Sequence, residues 1–338
     1  MNLDPAVAQL LALDPSTTTV TSHGGVGMSS ASTSKIETRL PDGRRMLYFM
    51  KTGKGEEAGT MFQGEHASLN AIASTVPTLC PRSHGHGRFQ SDPGMHFLAT
   101  DFMELSSSHS GSEHHGAMSL AEKLAKLHMT PAPIPEGYET SQFGFPATTC
   151  CGDTPQDNSY RSSWAEFYAE NRLRFILNRS NCSNGSDKQL STLVHRTCDE
   201  LVPRLLGDQH LNNGKGVTPV VVHGDLWSGN AGKAYLPTMP EGSSEEVIFD
   251  SSACYAHNEF ELGIMKMFGG FGSGFLKDYH RLCPKTPPVA EYEDRIELYE
   301  LYHHLNHYAL FGGGYKSSAV GIMKRLLSKY GSESAGSL

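Results

Sequence analysis

Val220-Val221-Val222-His223-Gly224-Asp225-Leu226-Trp227-Ser228-Gly229-Asn230 is the stretch on which the fold turns. The valine triplet predicts a short buried strand. It delivers His-Gly-Asp onto a loop, with Asn230 five positions beyond Asp225. Phosphoryl transfer needs that spacing: a carboxylate takes the proton of an attacking hydroxyl, and an amide oxygen holds a divalent cation. His-Gly-Asp alone is an ordinary turn; the whole run behind a valine triplet is far more specific. Downstream, Val247-Ile248-Phe249-Asp250 is an apolar strand ending on a carboxylate. Asp225 is therefore the candidate base, and Asn230 and Asp250 are the candidate ligands of Mg2+, which prefers a few hard oxygens plus phosphate. Taken alone, Asp250 reads equally well as a turn cap.

Upstream of this run, residues 17–51 predict a three-stranded meander. Thr17 to His23 is the first strand, Thr33 to Leu40 the second and Arg45 to Lys51 the third, with Pro41-Asp42-Gly43 as a hairpin turn between the last two. The turn Gly24-Gly25-Val26-Gly27 lets backbone approach phosphates without Cβ clashes, so Gly24, Gly25 and Gly27 are candidate nucleotide contacts. Lys51 ends its strand and is the candidate phosphate-binding cation, with Lys54 as a nearby competitor. Phe62, Leu69, Ile72 and Ala73 mark a helix over 61–74, and its Glu65 is placed to pair with Lys51. His96 to Met103 is a further apolar strand. Its end, Asp101-Phe102-Met103, should lead to a hinge whose backbone binds the adenine edge of ATP.

Strand, glycine turn, strand, hairpin, strand-with-lysine, helix, strand is not the alternation of an ordinary α/β protein. It predicts an α+β chain with a two-lobed protein-kinase-like fold: a small β-rich lobe at 1–103 that binds ATP, and a large helical lobe at 104–338 that carries catalysis and acceptor binding. In the second part, 106–116 reads as a linker. A helix at 118–128 opens on a capping box of Ser119 and Glu122. Residues 131–160 read as irregular loop. Helices are expected at 162–178, 187–206, 258–281, 291–311 and 317–330, with one strand-loop-strand insert holding 220–223 and 247–250. The acidic residues Glu259 and Glu261 fit a first turn that complements the helix dipole. His303, His304 and His307 share one face of a late helix.

The chain has 338 residues, 28 basic and 36 acidic side chains, and a net charge of −8. Such a surface argues against nucleic acid or anionic membrane as the main partner. No apolar stretch approaches the roughly 20 residues of a membrane helix. The N-terminus lacks a secretory pattern and reads as a short helix starting near Asp4-Pro5. Seven cysteines, without zinc spacing, are expected as reduced thiols in a cytoplasmic protein. His109, His114 and His115 sit in a Ser/Gly-rich loop without metal geometry.

Beyond these patterns, the chain resembles the fructosamine-3-kinase and ketosamine-3-kinase (protein-ribulosamine 3-kinase) family. The segments that carry the resemblance are MFQGEHASLNAI (61–72), FGFPATTCCGDTPQ (143–156), SWAEFYAENRL (163–173), VHGDLWSGN (222–230), IFDSSACYAHNEFELGIMKMFGGF (248–271) and LYHHLNHYALFGGGY (301–315). HGDLWSGN with a downstream FGGF is what separates this family from aminoglycoside and choline kinases of the same fold. The resemblance implies ATP-dependent phosphorylation of O3 of a ketosamine on a small amine or a glycated protein, after which the adduct is shed and the protein repaired. It implies Asp225 as base, Asn230 and Asp250 as metal ligands, Lys51 as phosphate lysine, and Trp227 and His307 as sugar contacts. On the residues alone, a kinase of another small hydroxylated acceptor and an idle kinase-like binding protein stay open. Two departures stand out. Relatives often carry a cysteine in the glycine turn that supports a redox-switched dimer, and Gly27-Met28-Ser29-Ser30 has none. Relatives often have Pro-Ala after the metal aspartate, and here Ser251-Ser252 follows Asp250.

Overall fold

Pro fixed at the first helical position and an Asp cap start α1, Pro5–Leu11; the Asp4 carboxylate accepts from the Ala6 N–H at 2.9 Å. Strands β1 (Thr18–Ser22), β2 (Ser32–Arg39) and β3 (Arg45–Lys54) follow, then α2 (Gly55–Thr75), β4 (Ser83–Arg88) and β5 (Met95–Asp101). The computed structural model describes residues 2–23, 31–40, 42–105, 118–236 and 244–331. The five strands form one antiparallel sheet in the order β1-β2-β3-β5-β4. The β2–β3 turn forms as expected, with Gly43 at φ +85 and Arg39 opposite Arg45; Pro41 lies outside the described residues.

Strand period decides what each face of this sheet carries. On β3, Tyr48 and Met50 point to one side and join Val7, Val20, Ile36, Phe97 and Ala99 in a small core under α1. Phe49 and Lys51 point to the other side, in register with Thr100 and Leu98 of β5. That second face is the roof of the functional cavity.

A two-residue strand β6 (Glu104–Leu105) leads out of the small lobe. The capping box of α3 (Leu120–Met129) forms as read, with Ser119 and Glu122 exchanging both bonds. A two-residue hairpin, β7 (Cys150–Cys151) with β8 (Thr154–Pro155), interrupts the irregular segment. The expected helix at 162–178 runs further, as α4 (Trp164–Phe167), a π-helical stretch and α5 (Phe175–Asn184). The next runs as α6 (Lys188–Arg196), a second π-helical stretch and α7 (Val202–Leu206).

The expected strand-loop-strand insert is corrected by the structure. β9 (Val220–Val222) does not pair with the strand ending near Asp250; it pairs antiparallel with β12 (Cys254–Ala256). β10 (Ala231–Tyr235) is the strand that pairs with β11 (Glu245–Ile248), and also with β6. The expected helix at 258–281 is likewise two: α8 (Glu261–Phe268) and α9 (Ser273–Leu282). Gly269 at φ +67 and Gly270 at φ +93 take the left-handed turn that separates them. Helices α10 (Tyr292–Phe311) and α11 (Tyr315–Tyr330) close the chain.

The large core is not confined to the helical part. Leu69, Ile72, Val76, Leu79 and Cys80, from α2 and the segment after it, belong to the same buried cluster as Trp164, Leu226, Phe260 and Tyr299. The first half of α2 covers the sheet while its second half is keyed into the helical lobe. Ala253 N–H donates to Ser68 Oγ at 3.0 Å and Ile248 N–H to the Leu79 carbonyl at 2.8 Å, which fix that seam.

Candidate active site

The catalytic-loop sequence builds its own frame. Gly224 sits at φ +83, and a Cβ there would lie 2.2 Å from the Ser252 carbonyl, so only glycine fits between His and Asp. His223 is fully buried; its Nε2 donates to the Phe249 carbonyl at 2.9 Å and its Nδ1 accepts the Asp225 N–H at 3.3 Å. Those partners select the neutral Nε2–H tautomer, and burial pushes its pKa below the usual value. The Glu261 carboxylate caps the loop from beneath, accepting from the N–H groups of both His223 and Gly224, the latter at 3.0 Å.

Glu261 does stand in the first turn of α8, and it has a further role: it is a buried clamp, its pKa held down, against burial, by His128, His223 and the loop N–H. Glu259, expected in the same dipole role, is buried in an ion pair with Arg295 at 2.8 Å. Neither role is visible in sequence, because the partners arrive from distant elements.

Asp225 and Asn230 meet inside this loop: Asn230 Nδ2 donates to the Asp225 carbonyl at 2.8 Å. That directs the amide nitrogen at the loop and leaves the amide oxygen as the atom able to ligate a cation. Burial pushes the Asp225 carboxyl up to about 8, with Asp250 and Glu261 adding in the same direction and a bond from Cys151 opposing. Asp250 follows β11 in the left-handed region at φ +58, a conformation Asp tolerates better than most side chains. Phe249 N–H donates to the Asn230 carbonyl at 3.0 Å, so the two candidate metal ligands lie on directly bonded segments. Ser251 Oγ donates to the His223 carbonyl at 3.1 Å, a bond that proline at this position could not make.

Lys51 reaches across from the roof. Its Nζ lies 2.7 Å and 2.8 Å from the two Glu65 oxygens and 2.6 Å from Asp250 Oδ1. Burial alone would lower the ammonium pKa, but the two carboxylates outweigh it and hold it above its ordinary value. Glu65 is 8% exposed; burial raises its pKa, against the pull of Lys51. Lys54, the competitor, ends β3 on the exposed side.

Beneath the roof lies a cavity of about 470 Å3, closed on its other side by Phe249 and Asp250. Phe49, Leu69 and Phe249 give it apolar walls, and Lys51, Glu65 and Asp250 its polar end. Asp101, Phe102 and Met103 also line it. The Asp101 carboxylate is turned away into the sheet, accepting from His84 at 2.8 Å and from the Arg82 N–H at 3.2 Å. Phe102 and Met103 fall beyond the end of β5, outside the strand expected to reach Met103. Gly24, Gly25 and Gly27, like His109, His114 and His115, lie outside the described residues.

Trp227 is 37% exposed, and its ring folds over Gly229, where a Cβ would fall 2.0 Å from the indole. Phe268 joins Trp227 to His307, with ring centroids 5.8 Å and 5.1 Å apart. The structure thus brings both expected sugar contacts to one aromatic wall through a residue that sequence reasoning passed over. The FGGF segment was its signal. His303 is fully buried, stacked on Phe260, and takes no part in this wall.

A β-roofed lysine–glutamate pair bonded to an aspartate at the end of one cavity, with an HGD loop joined to that aspartate's segment, is the site of a protein-kinase-like phosphotransferase that acts on a hydroxyl group. The fold agrees with solved structures: a Thermobifida fusca protein described as a candidate fructosamine-3-kinase (TM-score 0.71, 22% identity, covering 96% of this chain and 99% of that one), and an aminoglycoside phosphotransferase (TM-score 0.54, 13% identity, 93% of each). The family model described as fructosamine kinase matches residues 7–329, and the chain belongs to that family. Relatives include the ketosamine-3-kinase of Mus musculus, 34% identical over 295 residues (82% of this chain, 87% of the mouse protein), and the chloroplastic protein-ribulosamine 3-kinase of Arabidopsis thaliana, 34% identical over 276 residues (82% and 74%).

Proposed function

We propose that this enzyme transfers the γ-phosphoryl group of ATP to O3 of a ketosamine, a ribulosamine or fructosamine adduct on a small amine or a protein lysine. The observation that carries the reading is a chain of contacts: Lys51 meets Asp250 at the polar end of the cavity, the Phe249 N–H beside Asp250 bonds the Asn230 carbonyl, and the Asn230 amide bonds the Asp225 carbonyl. In it, residues 1–103 bind the nucleotide and 104–338 supply catalysis and acceptor binding. Phe49, Leu69 and Phe249 take the adenine ring, and the backbone of Asp101-Phe102-Met103 its edge. Lys51, aimed by Glu65, holds the α- and β-phosphates. Gly24, Gly25 and Gly27 remain candidates for the same phosphates. Trp227 and His307, joined through Phe268, present an aromatic wall to the sugar.

Asp225 Oδ accepts the O3 proton as that oxygen forms its bond to the γ-phosphorus and the bond to the β–γ bridging oxygen breaks, releasing ADP. The donor set suits Mg2+: a carboxylate oxygen from Asp250 and an amide oxygen from Asn230, with phosphate and water to complete it. Bound there, Mg2+ would neutralise the phosphate charge. Deglycation follows from product instability, and the cytoplasm, in keeping with seven free thiols, is the proposed location.

The test is ADP release with ribulosyl-lysine and fructosyl-lysine side by side, with phosphorus NMR of the product. A 3-phosphate is expected. Phosphorylation of a free amino alcohol but of neither ketosamine would overturn the substrate assignment. Asp225→Asn should lower kcat by roughly 10^2- to 10^4-fold with ATP binding retained; unchanged turnover would remove Asp225 from the mechanism.

A further inference from the structure

The loop leaves one question about its own base: what holds the Asp225 carboxylate in one orientation. Its main-chain N–H and carbonyl are committed to His223 and Asn230. Among the described residues, the side chain that hydrogen-bonds its carboxylate is Cys151, with Sγ 3.6 Å from Oδ1. From this contact we propose that Cys151 is a positioning residue for the phosphoryl-transfer step: its S–H donates to Oδ1 and leaves Oδ2 directed at the acceptor hydroxyl. The proposal rests on Asp225 being the base.

Cys151 is built to serve this way. It is 1% exposed. Its hairpin partner is Thr154, and its carbonyl accepts from Asn306 Nδ2 of α10 at 3.1 Å. Two residues upstream, Thr149 Oγ1 reaches the Ala253 carbonyl at 3.2 Å, which ties the hairpin to the segment behind Asp250. The backbone that carries the sulfur is thus held from α10 on one side and from the segment after Asp250 on the other. Burial pushes the thiol pKa well above its usual value, and Asp225 adds to the shift, so the group stays a neutral donor. A thiolate here would repel the carboxylate it faces. Cys150 is half-buried and makes no such contact; the two neighbours in the Cys-Cys pair alternate across the strand, and only the inward one serves the base.

A single hydrogen bond from a weak, neutral donor corresponds to about a 2- to 10-fold effect on rate. Cys151→Ala should lower kcat within that range and leave KM for ATP and for ribulosyl-lysine near their original values. Cys151→Ser, which keeps a donor, should recover most of the loss. In an Asp225→Asn background, Cys151→Ala should cost nothing further. An unchanged kcat in Cys151→Ala, a serine variant as slow as the alanine one, or the same loss in the Asp225→Asn background would each overturn the proposal. Melting temperatures accompany each variant; if Cys151→Ala does not fold, Cys151→Val, which removes the donor and fills the site with one methyl more, carries the same expectations. An Asp225→Asn enzyme with full activity would instead overturn the base assignment itself, so the two failures are distinguishable.

Discussion

Lys51 stands between two carboxylates of unequal exposure, Glu65 at 10% and Asp250 at 48% of side-chain surface. The buried partner anchors the ammonium; the exposed one is free to exchange it for other ligands. Lys51→Met would leave Glu65 buried without its cation, at a cost of about 3–5 kcal/mol. The same change should lower kcat/KM for ATP by about 100-fold or more, the effect of removing a buried charge from phosphate. Urea denaturation and steady-state kinetics read the two effects separately. Gly229 is a second residue with one job. Because a Cβ there would strike the Trp227 ring, Gly229→Ala should push the indole off its seat. The expected outcome is a rise of about 2- to 10-fold in KM for the ketosamine, the value of one aromatic contact, with KM for ATP unchanged.

Elements show why parts of this molecule are legible in its sequence. The β2–β3 hairpin is written in Asp42-Gly43, and α3 in its capping box. Lys51 and Glu65 sit in adjacent elements, so strand order alone brings them together. β4 was missed because Ser-His-Gly-His-Gly-Arg has no alternation of apolar residues; it is held by pairing with β5, not by its own propensity. The break between α8 and α9 was missed because the apolar period continues through Gly269 and Gly270. Cys151 and Glu261 could not be placed, since they reach the loop from 74 and 37 or more residues away. One glycine is silent in sequence and decisive in packing. A Cβ on Gly263 of α8 would fall 2.7 Å from the Tyr299 carbonyl carbon and 2.8 Å from the Glu300 nitrogen of α10. Backbone cannot yield as a side chain does, so Gly263→Ala should destabilise the fold by about 1–3 kcal/mol, read as a lower urea midpoint.

At the scale of the whole molecule, acid is a specific hazard. His257 is 1% exposed, bonded to Tyr299 and Thr286 at 2.8 Å each, beside Glu259, with Arg295 and His128 facing it. Burial pushes its pKa down to about 4, with Arg295 and His128 adding to the drop and Glu259 opposing it. The unfolded chain takes up this proton near pH 6.5 and the folded chain only near 4, so the unfolded state binds more protons in between and stability falls as pH drops through that window. The loss is on the order of 3 kcal/mol by pH 4. His223 and His303 shift in the same direction and add to it. Urea midpoints at pH 7.5 and pH 5 should show the decline, and His257→Asn should flatten it while lowering the midpoint at neutral pH.

The helix that carries Glu65 has a consequence for control. In protein kinases, activity is gated by a helix that swings its glutamate toward or away from the phosphate lysine. Here α2 is moored at its far end, where Leu69 and Ile72 lie within the larger core. Swinging it would tear out those side chains at about 1.5–3 kcal/mol apiece. The burial of Leu69 and Ile72 thus works to keep the Lys51–Glu65 pair formed, and with it the geometry of the roof.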